Sequence, residues 1–143
     1  MRLYLIFNFL IKNIIVYYRM DNFNFKKRYS FEDRIKESEK IKSKYSERVP
    51  VIVEASKDSK LKKIDKNKFL VPEDLTIGNF IAVIRKRIQI KPEEALFIFI
   101  DNILPCTSQT VGNVHHEHKD KDGFLYIQYT EENTFGWINF LIY

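Results

Sequence analysis

The sequence predicts an α+β fold: a four-stranded mixed sheet covered by helices, with a helical extension at its N-terminal end. Residues 49–54 and 96–100 are β-branched or continuously apolar runs, which is the composition of strands. Between them, residues 77–88 carry apolar side chains at helical spacing. The chain has 143 residues, 45% of them hydrophobic and 30% charged, so we expect one globular domain with a substantial core.

An amphipathic helix is predicted near the N-terminal side of the domain. Ser30 has the side chain of a helix N-cap, and the acidic Asp33 follows three residues later. Apolar or small side chains then recur at helical spacing, with Glu and Lys between them, at Phe31, Ile35, Ser38, Ile41 and Tyr45. These side chains are expected to form the face that packs on the rest of the domain.

Two strands joined by a polar connection are predicted next. Residues 49–54 form the first strand, and Pro50 should be its first residue or lie on a sheet edge, because proline has no N–H to donate. Residues 55–67 are polar and rich in lysine, as in a hairpin connection. Residues 68–72 are a second, short strand, which Pro72 ends.

A second helix and two further strands complete the predicted domain. Thr76 can cap the helix, whose apolar stripe consists of Ile77, Phe80, Ile81, Ile84 and Ile88. Residues 96–100 are expected to be a strand buried on both faces, followed by a hairpin turn at Asp101 and Asn102. Residues 107–118 are polar with one helical turn, and residues 124–130 alternate as a last strand. A strand hairpin, a crossing helix and two more strands are the elements of the ubiquitin-like β-grasp fold.

Composition excludes several classes of function. The formal net charge of +5 is too small to indicate nucleic-acid binding, and no stretch interleaves dense Lys and Arg with aromatic residues. The single cysteine, Cys106, cannot form an intrachain disulfide and is expected to be a half-buried packing residue. Residues 115–118, His-His-Glu-His, invite a zinc interpretation, but we favour a polar loop because adjacent residues cannot easily converge on one ion. No enzyme activity, metal or cofactor is predicted.

Residues 1–19 differ from the rest of the chain. They are rich in Ile, Leu, Phe, Asn and Tyr, with Lys12 near the middle, which disfavours a membrane span. They are interpreted as a weak signal anchor, an interfacial membrane segment, or upstream sequence that is not normally translated. We favour the third interpretation, because AT-rich codons specify these residue types and Met20 offers a second start. The predicted domain then comprises residues 20–136, and residues 137–143 form an apolar tail.

Seven strings of residues, in order and without a gap, closely resemble the autophagy-related ubiquitin-like modifiers. That family includes the GABA-receptor-associated protein, whose branch is the more similar, and the microtubule-associated light chains. The resemblance covers residues 23–136 and rests on RVPVIVE (48–54), KFLVP (68–72), DLT (74–76), IRKRI (84–88), ALF (95–97), FLYI (124–127) and FG (135–136).

The resemblance implies that Gly136 is the chemical end of the mature protein. In the family, a cysteine protease cuts after the matching glycine, which here would release residues 137–143. An E1-like and an E2-like enzyme then transfer the glycine carboxyl to phosphatidylethanolamine. The conjugated protein would sit on the autophagosome membrane and the free protein in the cytoplasm. The modifier itself catalyses none of these steps.

The resemblance also implies a groove that recruits cargo receptors and adaptors through short peptides of the aromatic-x-x-aliphatic kind, which add a strand to the sheet edge. The aromatic pocket would use Glu37, Ile41, Pro50, Ile52, Lys68, Leu70 and Phe124. The aliphatic pocket would use Phe69, Val71, Pro72, Leu75, Phe80 and Val83. Arg48, Lys66 and Lys68 could pair with acids that flank the peptide. For Ile52 and Phe80, packing in the core is an almost equally good explanation, and Lys68 could instead protect the edge from aggregation.

The chain departs from the family pattern at a few positions. Phe69 stands in place of the usual tyrosine, and Asn67 in place of a usual basic residue. The tail after Gly136 is longer and more apolar than usual. This tail motivates an alternative function, a β-grasp peptide-binding adaptor that is never conjugated.

Overall fold

The computed structural model describes residues 2–3, 6–7 and 23–131. Gly136, the tail 137–143 and most of residues 1–19 therefore lie outside the described residues. Within residues 23–131, the helices are α1 (Asn24–Arg28), α2 (Phe31–Lys44), α3 (Ile77–Ile88) and α4 (Val111–His118). The strands are β1 (Arg48–Ala55), β2 (Lys68–Pro72), β3 (Phe97–Phe99) and β4 (Leu125–Thr130). No helix among the described residues is both long enough and apolar enough to cross a membrane.

The four strands form one mixed sheet in the order β2-β1-β4-β3. β1 runs antiparallel to β2 and parallel to β4, and β3 runs antiparallel to β4. The parallel pair is central, and the chain crosses from β2 at one edge to β3 at the other through α3, before α4 leads back to β4. The predicted α+β fold with a four-stranded mixed sheet is confirmed.

Helices cover both faces of the sheet because side chains alternate along β1. Val49, Val51 and Val53 point to one face, where they pack with residues of α3 and α4 in the larger core. Ile52 points to the other face and packs with Ile41 of α2 and with aromatic residues of the N-terminal segment. The structure therefore has three layers: α1 with α2 on one side, the sheet in the middle, and α3 with α4 on the other side.

Helix α2 begins as predicted but buries a different set of side chains. Ser30 caps the helix by accepting a hydrogen bond from the Asp33 N–H. The buried positions are Arg34, Ser38 and Ile41, whereas Phe31 and Tyr45 are 42% and 40% exposed. The expectation that both aromatic ends pack inward is wrong, because the buried stripe includes an arginine that hydropathy spacing does not count as a core residue.

A buried ion pair ties α2 to the turn before β4. Arg34 Nε lies 2.8 Å from Asp122 Oδ2, and the Asp122 side chain is fully buried. Asp122 also accepts hydrogen bonds from the Tyr126 hydroxyl and the Phe124 N–H, at 2.5 and 2.9 Å. Burial, then the bond to Asp122, raises the pKa of Tyr126 far above its ordinary value, so the phenol stays a donor.

The turn at residues 120–123 approaches α2 closely. Gly123 has φ +90°, and a Cβ built on it would lie 2.6 Å from Ser38 Oγ. Ser38 Oγ in turn donates a short hydrogen bond to the Asp122 carbonyl. Only glycine fits here, because any side chain would meet both the backbone restriction and the serine.

The N-terminal segment is held against the sheet by Glu54 of β1. Its carboxylate accepts hydrogen bonds from the N–H groups of Asn24 and Phe25, at 2.8 and 3.0 Å. Asn67 Nδ2 donates to the same carboxylate at 3.0 Å. The polar residue that replaces the family's usual basic residue at position 67 therefore takes part in docking α1.

Pro50 lies at neither of the predicted places, since it is the third residue of β1 and β1 is a central strand. Pairing with β4 begins only at Val51, opposite Leu125. Odd-numbered residues of β1 bond to β2, as the bond from Val53 N–H to the Asn67 carbonyl illustrates. An N–H at position 50 would therefore point to the β4 side of β1, at a position where β1 and β4 are not yet paired. Its absence in Pro50 breaks no hydrogen bond of the sheet.

Residues 96–100 are buried as predicted at Ile98, Phe99 and Ile100, but the strand is short and lies on a sheet edge. The following turn is confirmed. Asp101 and Asn102 both have positive φ, 51° and 62°, as a two-residue type I′ turn requires. Ile100 and Ile103 exchange backbone hydrogen bonds of 3.0 and 2.9 Å across it.

Two expectations for polar loops are wrong. The histidines of residues 115–118 lie in α4, which is capped by Thr110 and anchored by the buried Val111 and Val114. Val111 and Val114 are three residues apart, and this spacing places both side chains on the core face of the helix. Cys106 is exposed rather than half-buried, because it lies in a turn with its Sγ beside Ser108 Oγ at 3.1 Å.

Candidate functional site

β2 is an edge strand, so one row of its backbone groups has no strand to pair with among the described residues. Phe69 and Val71 lie opposite Val51 and Val49, and odd-numbered residues make the antiparallel ladder. The N–H and C=O groups of Lys68 and Leu70 therefore point away from the sheet. This is the geometry that an added peptide strand needs.

Arg48 already contacts this free edge. Its Nη1 donates a hydrogen bond of 3.0 Å to the outward-facing carbonyl of Leu70. An incoming strand would need the same carbonyl as an acceptor. Arg48 thus covers part of the free edge of β2.

The residues expected for the aromatic pocket are brought together on the α2 face of the sheet. Ile41, Ile52 and Phe124 form one buried cluster, and Leu70 packs against it. Pro50 lies opposite Leu70 in the strand pair. Glu37 of α2 and Lys68 of β2 form an ion pair that bridges the two elements over this region.

This pocket is closed in the structure, because Ile52 and Phe124 are fully buried. The ring of Phe25 packs edge-on against Phe124, with centroids 5.1 Å apart, and Phe23 packs on Tyr126 in the same way. Both rings belong to the N-terminal segment, whose residues were not among those predicted for the site. In the sequence, the alternation of aromatic and polar residues at 23–25 was the signal that both rings pack on the same surface.

The residues expected for the aliphatic pocket lie on the opposite face, towards α3. Phe69 and Phe80 make an edge-on ring contact with centroids 5.5 Å apart. Phe80 and Val71 are buried, whereas Phe69, Pro72 and Leu75 are half-buried and Val83 is exposed. Arg87 was not among the predicted residues, yet its guanidinium lies 5.9 Å from the Phe69 ring centroid.

Lys66 stands apart from this arrangement. It is exposed in the connection before β2, and its backbone N–H bonds to Asp65 Oδ1 at 2.8 Å. This bond lowers the pKa of the Asp65 carboxyl. Arg48, Lys66 and Lys68 were predicted to pair with acids of a peptide. Of these, Arg48 and Lys68 lie at the β2 edge, where Arg48 bonds to the Leu70 carbonyl and Lys68 pairs with Glu37.

The histidine-rich segment is not a metal site among the described residues, where no three His, Cys, Asp or Glu side chains converge. His118 Nδ1 lies 3.0 Å from Asp101 Oδ2, and His115 Nε2 lies 2.8 Å from the Gly123 carbonyl. These contacts direct two of the three rings towards different neighbours.

Comparison with known proteins identifies the family. A family model described as "Autophagy protein Atg8 ubiquitin like" matches residues 33–136. The chain belongs to the Atg8 family of ubiquitin-like autophagy proteins. It is 54% identical over 112 residues to Autophagy-related protein 8 of Colletotrichum lindemuthianum, covering 78% of this chain and 93% of the relative. It is 53% identical over 114 residues to that of Candida glabrata, covering 80% and 97%.

Solved structures of the Atg8 family have the same fold. A Trypanosoma brucei ATG8 structure superposes with a TM-score of 0.73 at 36% identity, covering 76% of this chain and 94% of the other. Plasmodium falciparum Atg8, solved in complex with a Plasmodium falciparum Atg3 peptide, superposes with a TM-score of 0.72 at 35% identity, covering 76% and 96%. The resemblance inferred from the seven strings is thereby confirmed.

Proposed function

We propose that the chain is an autophagy modifier that is trimmed after Gly136 and joined through that glycine to phosphatidylethanolamine. The single observation that supports conjugation at Gly136 is that the match to the Atg8 family ends at residue 136, with seven residues beyond it. A glycine end suits this chemistry because, without a Cβ, it can thread a narrow enzyme groove and expose its carbonyl.

The proposed reaction sequence uses the chain only as an acyl donor. A cysteine protease hydrolyses the bond between Gly136 and Trp137, which frees the Gly136 carboxylate. An E1-like enzyme activates that carboxylate with ATP as an acyl adenylate, releasing pyrophosphate, and its cysteine thiol then displaces AMP to form a thioester. Thiol exchange passes the acyl group to the cysteine of an E2-like enzyme. The amine of phosphatidylethanolamine then displaces the thiol and forms an amide. The Atg3 peptide bound to Plasmodium Atg8 supports an E2-like partner for this chain.

The second half of the proposed function is peptide docking at the β2 edge. A strand added beside Lys68 and Leu70 would hydrogen-bond their outward groups, and its alternating side chains would reach opposite faces. One face carries the cluster of Ile41 and Phe124, and the other carries Phe69 and Val83. This arrangement suits a peptide with one aromatic and one aliphatic anchor.

Peptide docking is expected to depend on charge at Arg48. We expect Arg48→Gln to weaken binding of an aromatic-x-x-aliphatic peptide with acidic flanking residues by about tenfold, since a charge-assisted contact is lost. Binding of the same peptide with neutral flanks should change less or tighten, because the Leu70 carbonyl loses its charged competing donor. Isothermal titration calorimetry of both peptides measures this difference.

Arg28→Gln is the matched control, because Arg28 is exposed at the end of α1 and has the same charge. Amide chemical shifts provide the location: residues 68–71 should shift most on binding. Equal weakening of both peptides by the two substitutions, or shifts centred elsewhere, would count against docking at this edge.

The intact mass of the chain recovered from cells tests the conjugation half. A mass ending at Gly136 plus one phospholipid is expected in membrane fractions, and a mass ending at Gly136 alone in the cytoplasm. A chain that always keeps Tyr143 would instead support the non-conjugated adaptor that the apolar tail suggests. The same measurement reports whether mature chains begin near Met20.

A further inference from the structure

A second cavity lies at the end of the sheet where the parallel strands β1 and β4 begin. Its volume is about 590 Å³, and its walls are α2, the start of β1, α4 and the turn at residues 119–123. Lys42 of α2 lines it, whereas Glu37 lies on the other flank of the same helix. The cavity is therefore separate from the closed aromatic pocket, although Arg48 and Pro50 border both regions.

Among the described side chains that line the cavity, more positive than negative charges are left without an ion pair. Lys42, Lys119 and Lys121 line it and make no ion pair with any described residue. The aspartates in the same wall are neutralised from outside the cavity. Asp120 pairs with Lys26 at 3.0 Å, and Asp122 pairs with Arg34 at 2.8 Å. The remaining carboxylates of the lining are Glu39 and Glu73.

His115 reports where these charges converge. Its Nε2–H donates to the Gly123 carbonyl at 2.8 Å, so the neutral ring carries its free lone pair on Nδ1. Burial lowers the pKa of His115, the bond to Gly123 opposes this, and the charges of Lys119, Lys42 and His116 lower it further. Charges on α2 and at the C-terminal end of α4 therefore act on the same ring.

We propose that this cavity binds the phosphate ester of a small polyol. A phosphate monoester carries nearly two negative charges at neutral pH and three acceptor oxygens, which suits a cavity lined by several lysines. Lysine binds phosphate as a point charge and needs no fixed two-pronged geometry. The volume lies within the range of cavities that hold small ligands, so the polyol as well as the phosphate can be accommodated. The proposal does not depend on conjugation at Gly136 or on docking at β2.

Nuclear magnetic resonance of the full-length chain tests this proposal with glycerol phosphate and inositol trisphosphate as probes. Titration at near-physiological salt should shift resonances of α2, α4 and residues 119–123 in a saturable way. Bound anion should raise the pKa of His115, because the ligand's charge offsets that of the lysines. A histidine titration that is the same with and without either probe would overturn the proposal.

Paired substitutions separate a defined site from general attraction. Lys42→Gln with Lys119→Gln should weaken probe binding at least about tenfold, since two charge-assisted contacts are removed. Lys36→Gln with Lys86→Gln is the control, because both lysines are exposed, lie outside the cavity and give the same net charge. Equal losses in the two variants would overturn the site.

The source of the phosphate is distinguished by vesicles. Phosphatidylcholine vesicles with and without a phosphoinositide are sedimented with the wild-type chain and with the Lys42→Gln, Lys119→Gln variant. Binding that requires both the phosphoinositide and the two lysines identifies a lipid headgroup. Binding of the soluble probes alone identifies a free polyol phosphate. A chain that binds neither contradicts the proposal.

Discussion

Gly136→Ala is expected to abolish conjugation to phosphatidylethanolamine while leaving peptide binding within about twofold of wild type. The added Cβ restricts the backbone and widens the chain at the residue through which we propose that the chain is cut and conjugated. The docking edge at Lys68–Pro72 is formed by residues of the sheet and does not include the C-terminal end. The two proposed activities should therefore separate in this variant.

Membrane fractionation with intact-mass analysis measures the first effect, and calorimetry with an acidic aromatic-x-x-aliphatic peptide measures the second. Gly78→Ala is a matched control, because a Cβ there lies 3.4 Å from the Thr107 carbonyl and is nearly in ordinary contact. This variant should be conjugated like the wild-type chain. Equal lipidation of the Gly136→Ala chain would refute the role proposed for Gly136.

Asp122→Asn is expected to lower the free energy of unfolding by about 3 kcal/mol, the largest stability effect that we predict for a single polar residue. The substitution keeps the size of the side chain but leaves the Arg34 guanidinium without its anion. Arg34 is itself buried, so water cannot replace the lost partner. The Tyr126 hydroxyl and the Phe124 N–H also lose a charged acceptor.

Urea unfolding followed by fluorescence measures this loss, with the slope of the transition checked for two-state behaviour. Asp58→Asn is the control, because Asp58 is exposed in the connection after β1 and should change stability little. Hydrogen exchange at residues 24–29 should also increase in the Asp122→Asn chain, since Arg34 donates to the Lys26 and Tyr29 carbonyls and needs Asp122 to hold its position. A loss below about 1 kcal/mol would contradict the assigned importance of the ion pair.

Most elements of the fold could be predicted because they have a strong local signal, whereas α1 and the full length of α4 were not predicted. The caps at Ser30 and Thr76, the stripe of α3 and the turn at Asp101 and Asn102 depend on neighbouring residues only. The errors arose where burial came from distant partners. Phe31 and Tyr45 look like core residues by spacing, yet α2 turns Arg34 inward because Asp122 meets it from a segment 88 residues away.

The candidate groove was predicted through family resemblance rather than from residue chemistry. Its residues are ordinary core and surface types, and no local pattern distinguishes Ile52 or Phe124 as pocket residues. The contact of Arg48 with the Leu70 carbonyl, and the rings of Phe23 and Phe25 in the closed pocket, were not predicted. Each depends on elements that meet only after the sheet has formed.

By itself, the sequence determined the α+β class and the order of the elements, because both depend on the local spacing of residues. It also determined the Atg8 family, because short strings of its residues match those of the family. Only the tertiary structure decided that β2 is a free edge, that β1 is central despite Pro50, and that lysines of α2 and of the segment after α4 surround one cavity. Strand order and side-chain convergence depend on contacts between residues far apart in the chain, and one sequence does not contain a local signal for them.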